Sequence, residues 1–464
     1  MKKTTFALFF GNRGFFPGEL IKEARESMCR ALEENGYGYI MMDESLTRYG
    51  AVETIAEGKL YAEFLNENRG KFDGVILSLP NFGDENGAGV ALKNANVPIL
   101  VQAFPDEMDK MDFAHRRDAM CGKIAMCNVL RQLGIKYTLT ESFCTHPLSE
   151  DFRKDLSTFA GVCRVVKGMK SFNIGAIGAR TTAFKTVRID EIALQSKGIN
   201  VETVDLSSVF ALMDKVDEKK LNEKKEKYLS LSDFSNYPDC KLENIARLGV
   251  VIDGIIEDLN LDAIAIRCWD ELQKTFGIAP CLILGELNER GIAAACELDV
   301  ANAVIMRAIG LAANYPVMLL DVNNNYENCK NKIVFFHCGP APVSMMSGKG
   351  RIKEHLMFKK SYGEGSGVGI NTGEFIKGDV TIGSFKTENG RLCSFVSEGV
   401  FTDDKLPDCF FGCSAVFEKE NADGLLKYMA TNGYRHHVAI TKGRVAKALE
   451  IAFNDYLDYQ IDII

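Results

Sequence analysis

No stretch of this sequence is apolar for long enough to cross a bilayer, which excludes a helical membrane protein. No basic block exceeds a few residues and the net charge is −8, so a nucleic-acid partner is excluded as well, because phosphate backbones need concentrated Lys and Arg. Fourteen cysteines are present, but there is no CxxC pair. The nearest approach to one, Cys409 and Cys413 in "DCFFGC", has the wrong flanks for a metal knuckle. The thiols therefore read as buried and reduced. The start, "MKKTTFALFFGNRG", stops being apolar at Gly11 and offers no small-residue cleavage site, so it is not read as a signal peptide, and a cytoplasmic protein is the expectation. "GEGSGVG" at 363–369 lacks the Lys-Ser/Thr ending of a phosphate-binding loop and reads as a loop of a β domain. No repeat of solenoid period is present. The charge run "DKVDEKKLNEKKEK" at 214–227 reads as a solvated helix face.

What is present is globular in composition: 46% hydrophobic and 25% charged residues, spread over a chain long enough for two to four domains. Short apolar strands alternate with amphipathic helices through "TFALFF", "YGYIMM", "GVILSLP" and "VPILVQAF". A second such series runs through "FNIGAIGA", "INVETVDL", "DAIAIRCW" and "PVMLLD". This pattern predicts two doubly wound parallel-sheet α/β domains, at 1–170 and 171–330. From 331 to 464 the texture turns to Gly-rich β segments such as "GDVTIGSFKTENGRLCSFVSEG", with "ENG" as a hairpin signal, and a mostly β C-terminal domain is expected.

Two acids stand out in the small, apolar stretch 291–325. Asp321 ends "PVMLLD", read as a buried parallel strand, at the ligand side of an open sheet. Glu297 ends "GIAAAC" and opens a helical stretch from about Leu298 to Leu311. Singly, Glu297 fits a charge on a helix dipole and Asp321 fits a turn residue. Together, two carboxylates in apolar surroundings repel unless a cation lies between them, which points to a divalent metal, and oxygen-rich ligands favour Mn²⁺ or Mg²⁺ over Zn²⁺. A third ligand would come from the histidines: His337 ends the strand-like "IVFFH", and His436 and His437 precede "VAI". Strand alternation lets only one of that pair face a shared site. Arg13 and Arg180 stand just past strands, where a cation can meet an anionic group on a substrate. Trp269, the single tryptophan, ends "AIAIRC" and fits either stacking on a sugar or core packing.

"ACELDV", the strand ending in Asp321, and "HHVAITKG" resemble the metal site of the L-fucose isomerase and L-arabinose isomerase superfamily, in its fucose isomerase-like branch. "AIRCW", "MCGKIAMCNVL" and the three-domain order extend the likeness. The resemblance implies a metal held by Glu297, Asp321 and His437, with Glu297 and Asp321 also moving the proton. Mn²⁺ is the expected ion, with Mg²⁺ and Co²⁺ as alternatives. His337 lies near the place where the arabinose branch puts an additional metal-binding His, and a substrate-binding role or support of the ligands is the other reading of it. The resemblance further implies a trimer or hexamer in which the turn carrying Arg13 serves a neighbour's site. The activity it implies is aldose–ketose isomerisation through an enediol, on a hexose or deoxyhexose such as L-fucose. An anionic sugar such as sulfoquinovose is the alternative, bound through Arg13 and Arg180, and a non-catalytic sugar-binding protein is the second alternative.

Overall fold

The computed structural model describes residues 3–464, and the chain divides into two compact units. One comprises Met1–Lys167 with Lys447–Asp458, the other Gly168–Ala446 with Tyr459–Ile464. In the first unit, β1 (Thr5–Phe10), β2 (Gly38–Met41), β3 (Gly74–Leu79), β4 (Ile99–Ala103) and β5 (Thr138–Leu139) form a parallel sheet in the order β2-β1-β3-β4-β5. All six residues of β3 are buried. Helices on both faces of a parallel sheet remove the alternation that a half-exposed strand would show, which is why these strands read as continuous apolar runs. The connecting helices start where the local chemistry allows. Thr54 and Glu57, for example, form a reciprocal capping box at the start of Ile55–Glu67, satisfying two amide donors that have no partner within the helix.

The second unit opens with β6 (Phe172–Ile177), β7 (Ile199–Val204), the two-residue β8 (Ser232–Asp233), β9 (Ala263–Ile266) and β10 (Ala293–Ala295). Of these, β10-β9-β6-β7 form a second parallel sheet. The charge run falls largely on the helix Glu218–Leu231, whose Leu221, Lys224 and Tyr228 are nevertheless buried.

The remaining strands are β11 (Val317–Asn325), β12 (Lys332–His337), β13 (Gly350–Glu354), β14 (Val368–Thr372), β15 (Gly378–Glu388), β16 (Arg391–Phe401), β17 (Cys413–Glu418), β18 (His437–Lys442) and β19 (Gln460–Ile463). Seven of them run β15-β18-β11-β12-β17-β16-β19, and a β15–β16 pairing closes six strands into a ring. The β15–β16 hairpin turns at Asn389 and Gly390, both with positive φ. Asn-Gly is favoured there because both central residues of such a turn need left-handed backbone. The architecture is thus two parallel-sheet α/β portions followed by a mostly β C-terminal portion with a mixed sheet.

One strand departs from the sequence reading. β11 is not parallel: it pairs antiparallel with both β12 and β18 and belongs to the ring. Its Met318 and Leu320 join a core cluster with Phe335, Phe395 and Val438, while Val317 and Leu319 are buried as well. Burial on both faces removes the period of two that would have marked an antiparallel strand. The helix Val300–Ala313 packs against β9 and β10 as well as β15 and β18, so the segment leading into it carries residues from the parallel sheet to the ring.

Candidate functional site

The site forms where that segment meets β11 and β18. Asp321 and His437 are direct partners in the β11–β18 ladder, and antiparallel partners present their side chains to the same face. Glu297 arrives from the end of β10. It does not open the helix, as the sequence suggested. It and Leu298 both have φ of 58°, and the helix starts at Val300 with Asp299 as N-cap, accepting from the Asn302 amide. Left-handed backbone is uncommon for side chains of this size. Here it turns the Glu297 carboxylate to His437, whose Nε2 lies 2.9 Å from Glu297 Oε2 and 3.4 Å from Asp321 Oδ1.

Asp299, two residues after Glu297, is the partner the sequence reading passed over. It is fully buried. Its Oδ2 accepts from Asn302 Nδ2 at 2.7 Å and lies 2.7 Å from His437 Nδ1, and its Oδ1 accepts from buried Arg435 at 2.5 Å. Burial works against the charge on Asp299, but Arg435 and His437 overcome it and hold the carboxyl well below the usual range. A carboxylate only accepts, so His437 Nδ1 carries the hydrogen in this bond and Nε2 is turned to the two acids. The signal in the sequence was present in "CELDV" itself, which holds a second acid.

Three buried atoms here lack a hydrogen-bond partner among the described residues: Asp321 Oδ1, His337 Nε2 and His437 Nε2. The 2.9 Å approach of His437 to Glu297 is an ion-pair distance without hydrogen-bond geometry. Burial disfavours charge on His437, yet Asp299 and Glu297 outweigh it and raise the imidazole to about 10. Glu297 is pushed up by burial but brought below its ordinary value by His437, with His337 and His436 adding to the effect. At neutral pH the site therefore favours a proton on His437, between the carboxylates of Asp299 and Glu297. A buried, unpartnered imidazole nitrogen facing carboxylate oxygens is the donor set a divalent cation needs, and an imidazole backed by a carboxylate is how proteins commonly orient such a ligand.

The candidate ligand atoms gather in two groups that share His437. One is Glu297, His337 and His437, the other Asp321, His436 and His437, each with its atoms within 4.8 Å of one another. The set expected from the sequence takes one acid from each group. His436 was expected to face away. It stands at the rim instead, its Nε2 3.8 Å from Asp321 Oδ1 and its side chain 43% exposed, because β18 begins only at His437 and strand alternation does not govern the residue before it.

Trp269 lines the same hollow as Glu297, with Cys268, Gln273, Cys296, Cys338 and His355. Its ring lies 5.5 Å from that of Phe184, which in turn lies 5.8 Å from both His436 and His437. Phe184, an aromatic wall beside the histidines, was not singled out in the sequence. Arg180, on the same loop, is half-buried and donates through Nη1 to the carbonyls of Thr181 and Thr182. Arg13 belongs to the other unit, where it is ion-paired with Glu85, stacks on Phe82 at 4.0 Å and donates to the Gly83 carbonyl.

Comparisons with known proteins give the family of the chain. Residues 7–170 match the model of the fucose/sulfoquinovose isomerase N-terminal domain, and residues 335–464 match that of the L-fucose isomerase C-terminal domain. Among the similar proteins is a sulfoquinovose isomerase of Alkalicoccus urumqiensis, 25% identical over 396 residues, covering 83% of this chain and 85% of that one. Another is a sulfoquinovose isomerase of Priestia aryabhattai, 24% identical over 389 residues, covering 83% and 84%. A third protein of that name, from Clostridium sp. (strain MSTE9), is 24% identical over 238 residues, half of each chain. With both terminal domains matched and the acids and histidine brought together by the fold, the chain belongs to the fucose isomerase-like family and is an aldose–ketose sugar isomerase.

Proposed function

We propose that the protein interconverts an aldose and its ketose at Glu297, Asp321 and His437, that it does so with a divalent cation, Mn²⁺ first and Mg²⁺ or Co²⁺ as alternatives, and that its sugar is anionic, of the sulfoquinovose type. The observation that carries the reading is the buried Nε2 of His437, left without a hydrogen bond between the Glu297 and Asp321 carboxylates. The names of the relatives favour the sulfonated sugar over L-fucose.

The reaction moves a proton between adjacent carbons, and the C–H bond is too weak an acid to ionise unaided at neutral pH. A bound divalent cation supplies polarisation of the two neighbouring sugar oxygens. The chain supplies the rest. Glu297, kept ionised, offers Oε2 to take the proton from one carbon and return it to the next, and Asp321 is the other carboxylate for that role. Asp299 and Arg435 hold the His437 ring in place. Phe184 and Trp269 give the sugar an apolar wall. A homo-oligomer, trimer or hexamer, completes the proposal, with the Arg13 turn of one copy serving a neighbour.

The test is a panel of neutral and sulfonated aldoses, run after chelation and after Mn²⁺ is restored. Sulfoquinovose turnover that vanishes with the chelator and returns with Mn²⁺ supports the reading. Turnover of L-fucose alone overturns the substrate, and full activity without metal overturns the cofactor. Light scattering that finds an active monomer removes the Arg13 role.

A further inference from the structure

His337 is 1% exposed, and its Nε2 has no hydrogen-bond partner among the described residues. It contributes a ligand atom to the group it forms with Glu297 and His437. On distance alone it is another metal ligand. Its other nitrogen argues differently.

The backbone N–H of Cys338 donates to His337 Nδ1 at 2.9 Å. An amide N–H can only donate, so Nδ1 is the bare nitrogen, and a neutral imidazole with Nδ1 bare carries its hydrogen on Nε2. His437 is held the opposite way: its Nδ1 meets the Asp299 carboxylate at 2.7 Å, which can only accept, so once a cation displaces the second proton of the ring the nitrogen left bare is Nε2. The two rings lie 6.1 Å apart between centroids and, with that proton displaced, present different chemistry beside Glu297. One offers a lone pair and the other an N–H.

From these opposed tautomers we infer that His337 is not a metal ligand but a hydrogen-bond donor, aimed through Nε2–H at the sugar oxygen on which negative charge grows during isomerisation. A neutral imidazole N–H is suited to this work: it polarises a carbonyl without placing a full positive charge beside a cation. Glu297 and His437 are its neighbours, so an oxygen held near them is within its reach. The inference rests on the isomerase reading above.

The experiment uses wild type, His337→Gln, which keeps a donor, and His337→Phe, which does not. Mn²⁺ affinity is measured by titration calorimetry and turnover on the active sugar, with melting temperature as a check on folding. The expected result is Mn²⁺ affinity within about threefold of wild type in both variants. Turnover falls by about a hundredfold or more in His337→Phe, with little change in KM, and is partly restored in His337→Gln. A fall in Mn²⁺ affinity of about tenfold or more in both variants makes His337 a ligand and overturns the inference. If His337→Phe does not fold, long-range proton–nitrogen spectra of the Mg²⁺-loaded, histidine-labelled wild type, with His337→Gln used for assignment, decide the tautomer. A bare Nε2 on His337 overturns the inference. Wild type that binds no Mn²⁺ and isomerises no sugar defeats the underlying reading instead, a distinct result.

Discussion

Asp299 Oδ2 lies 2.7 Å from His437 Nδ1 while its Oδ1 accepts from Arg435. One buried carboxylate thereby both orients an imidazole and neutralises a buried guanidinium. Asp299→Asn should weaken metal binding about 10–100-fold by loosening the ring. It should also cost about 3–5 kcal/mol of stability, because Arg435 is left without its counter-charge. Adding Arg435→Met should recover stability but not metal affinity. Denaturant melts beside metal titrations separate the two effects.

Glu297→Gln and Asp321→Asn preserve shape and remove charge. Turnover should fall about a thousandfold or more, while the melting temperature without added metal should fall modestly in Glu297→Gln, which loses its pairing with the protonated His437, and stay near that of wild type in Asp321→Asn. A pair of variants that stayed active but melted lower would make these carboxylates structural.

The protonation of His437 sets a pH dependence. Its imidazole is raised from 6.5 to about 10 in the metal-free fold, so at neutral pH the folded protein binds a proton that the unfolded chain has largely lost. That stabilising contribution is fully present below about 6.5 and disappears as pH rises through about 10. A cation must displace the same proton. Metal uptake near pH 8 should release about one proton, and apparent affinity should rise about tenfold per pH unit toward that upper value. Calorimetry in buffers of differing ionisation enthalpy counts the protons, and uptake without release would contradict the assignment of His437 as a ligand.

Phe184 touches both histidine rings and Trp269. Phe184→Ala should remove about 1 kcal/mol of ring contact. The expected outcome is a KM about fivefold higher with Mn²⁺ affinity unchanged, read from steady-state kinetics and a metal titration.

The sequence carried the strand–helix alternation of the α/β portions, the Asn-Gly hairpin and the three residues now found around one imidazole nitrogen, because period, turn chemistry and carboxylates in apolar surroundings are local signals. It did not carry the direction of β11, since a strand buried on both faces loses its alternation. Nor did it single out Asp299, whose role depends on Arg435 and His437 lying more than a hundred residues away. Phe184 was missed for the same reason: a lone aromatic in a loop has no period to betray what it packs on. Arg180 was legible as a residue at a strand end, but not the two carbonyls of its own loop to which its Nη1 donates.

The pairing of Asp321 with His437 across β11 and β18 also sets a time order for the living cell. On a growing chain, Glu297 and Asp321 leave the ribosome more than a hundred residues ahead of His437. Until β18 is made and inserted beside β11, the nascent protein displays two acids and no imidazole to join them. Joining of the two acids by this imidazole is therefore a property of a chain synthesised through β18, and a ribosome stalled before His437 holds a chain with the acids and no means of completing the set.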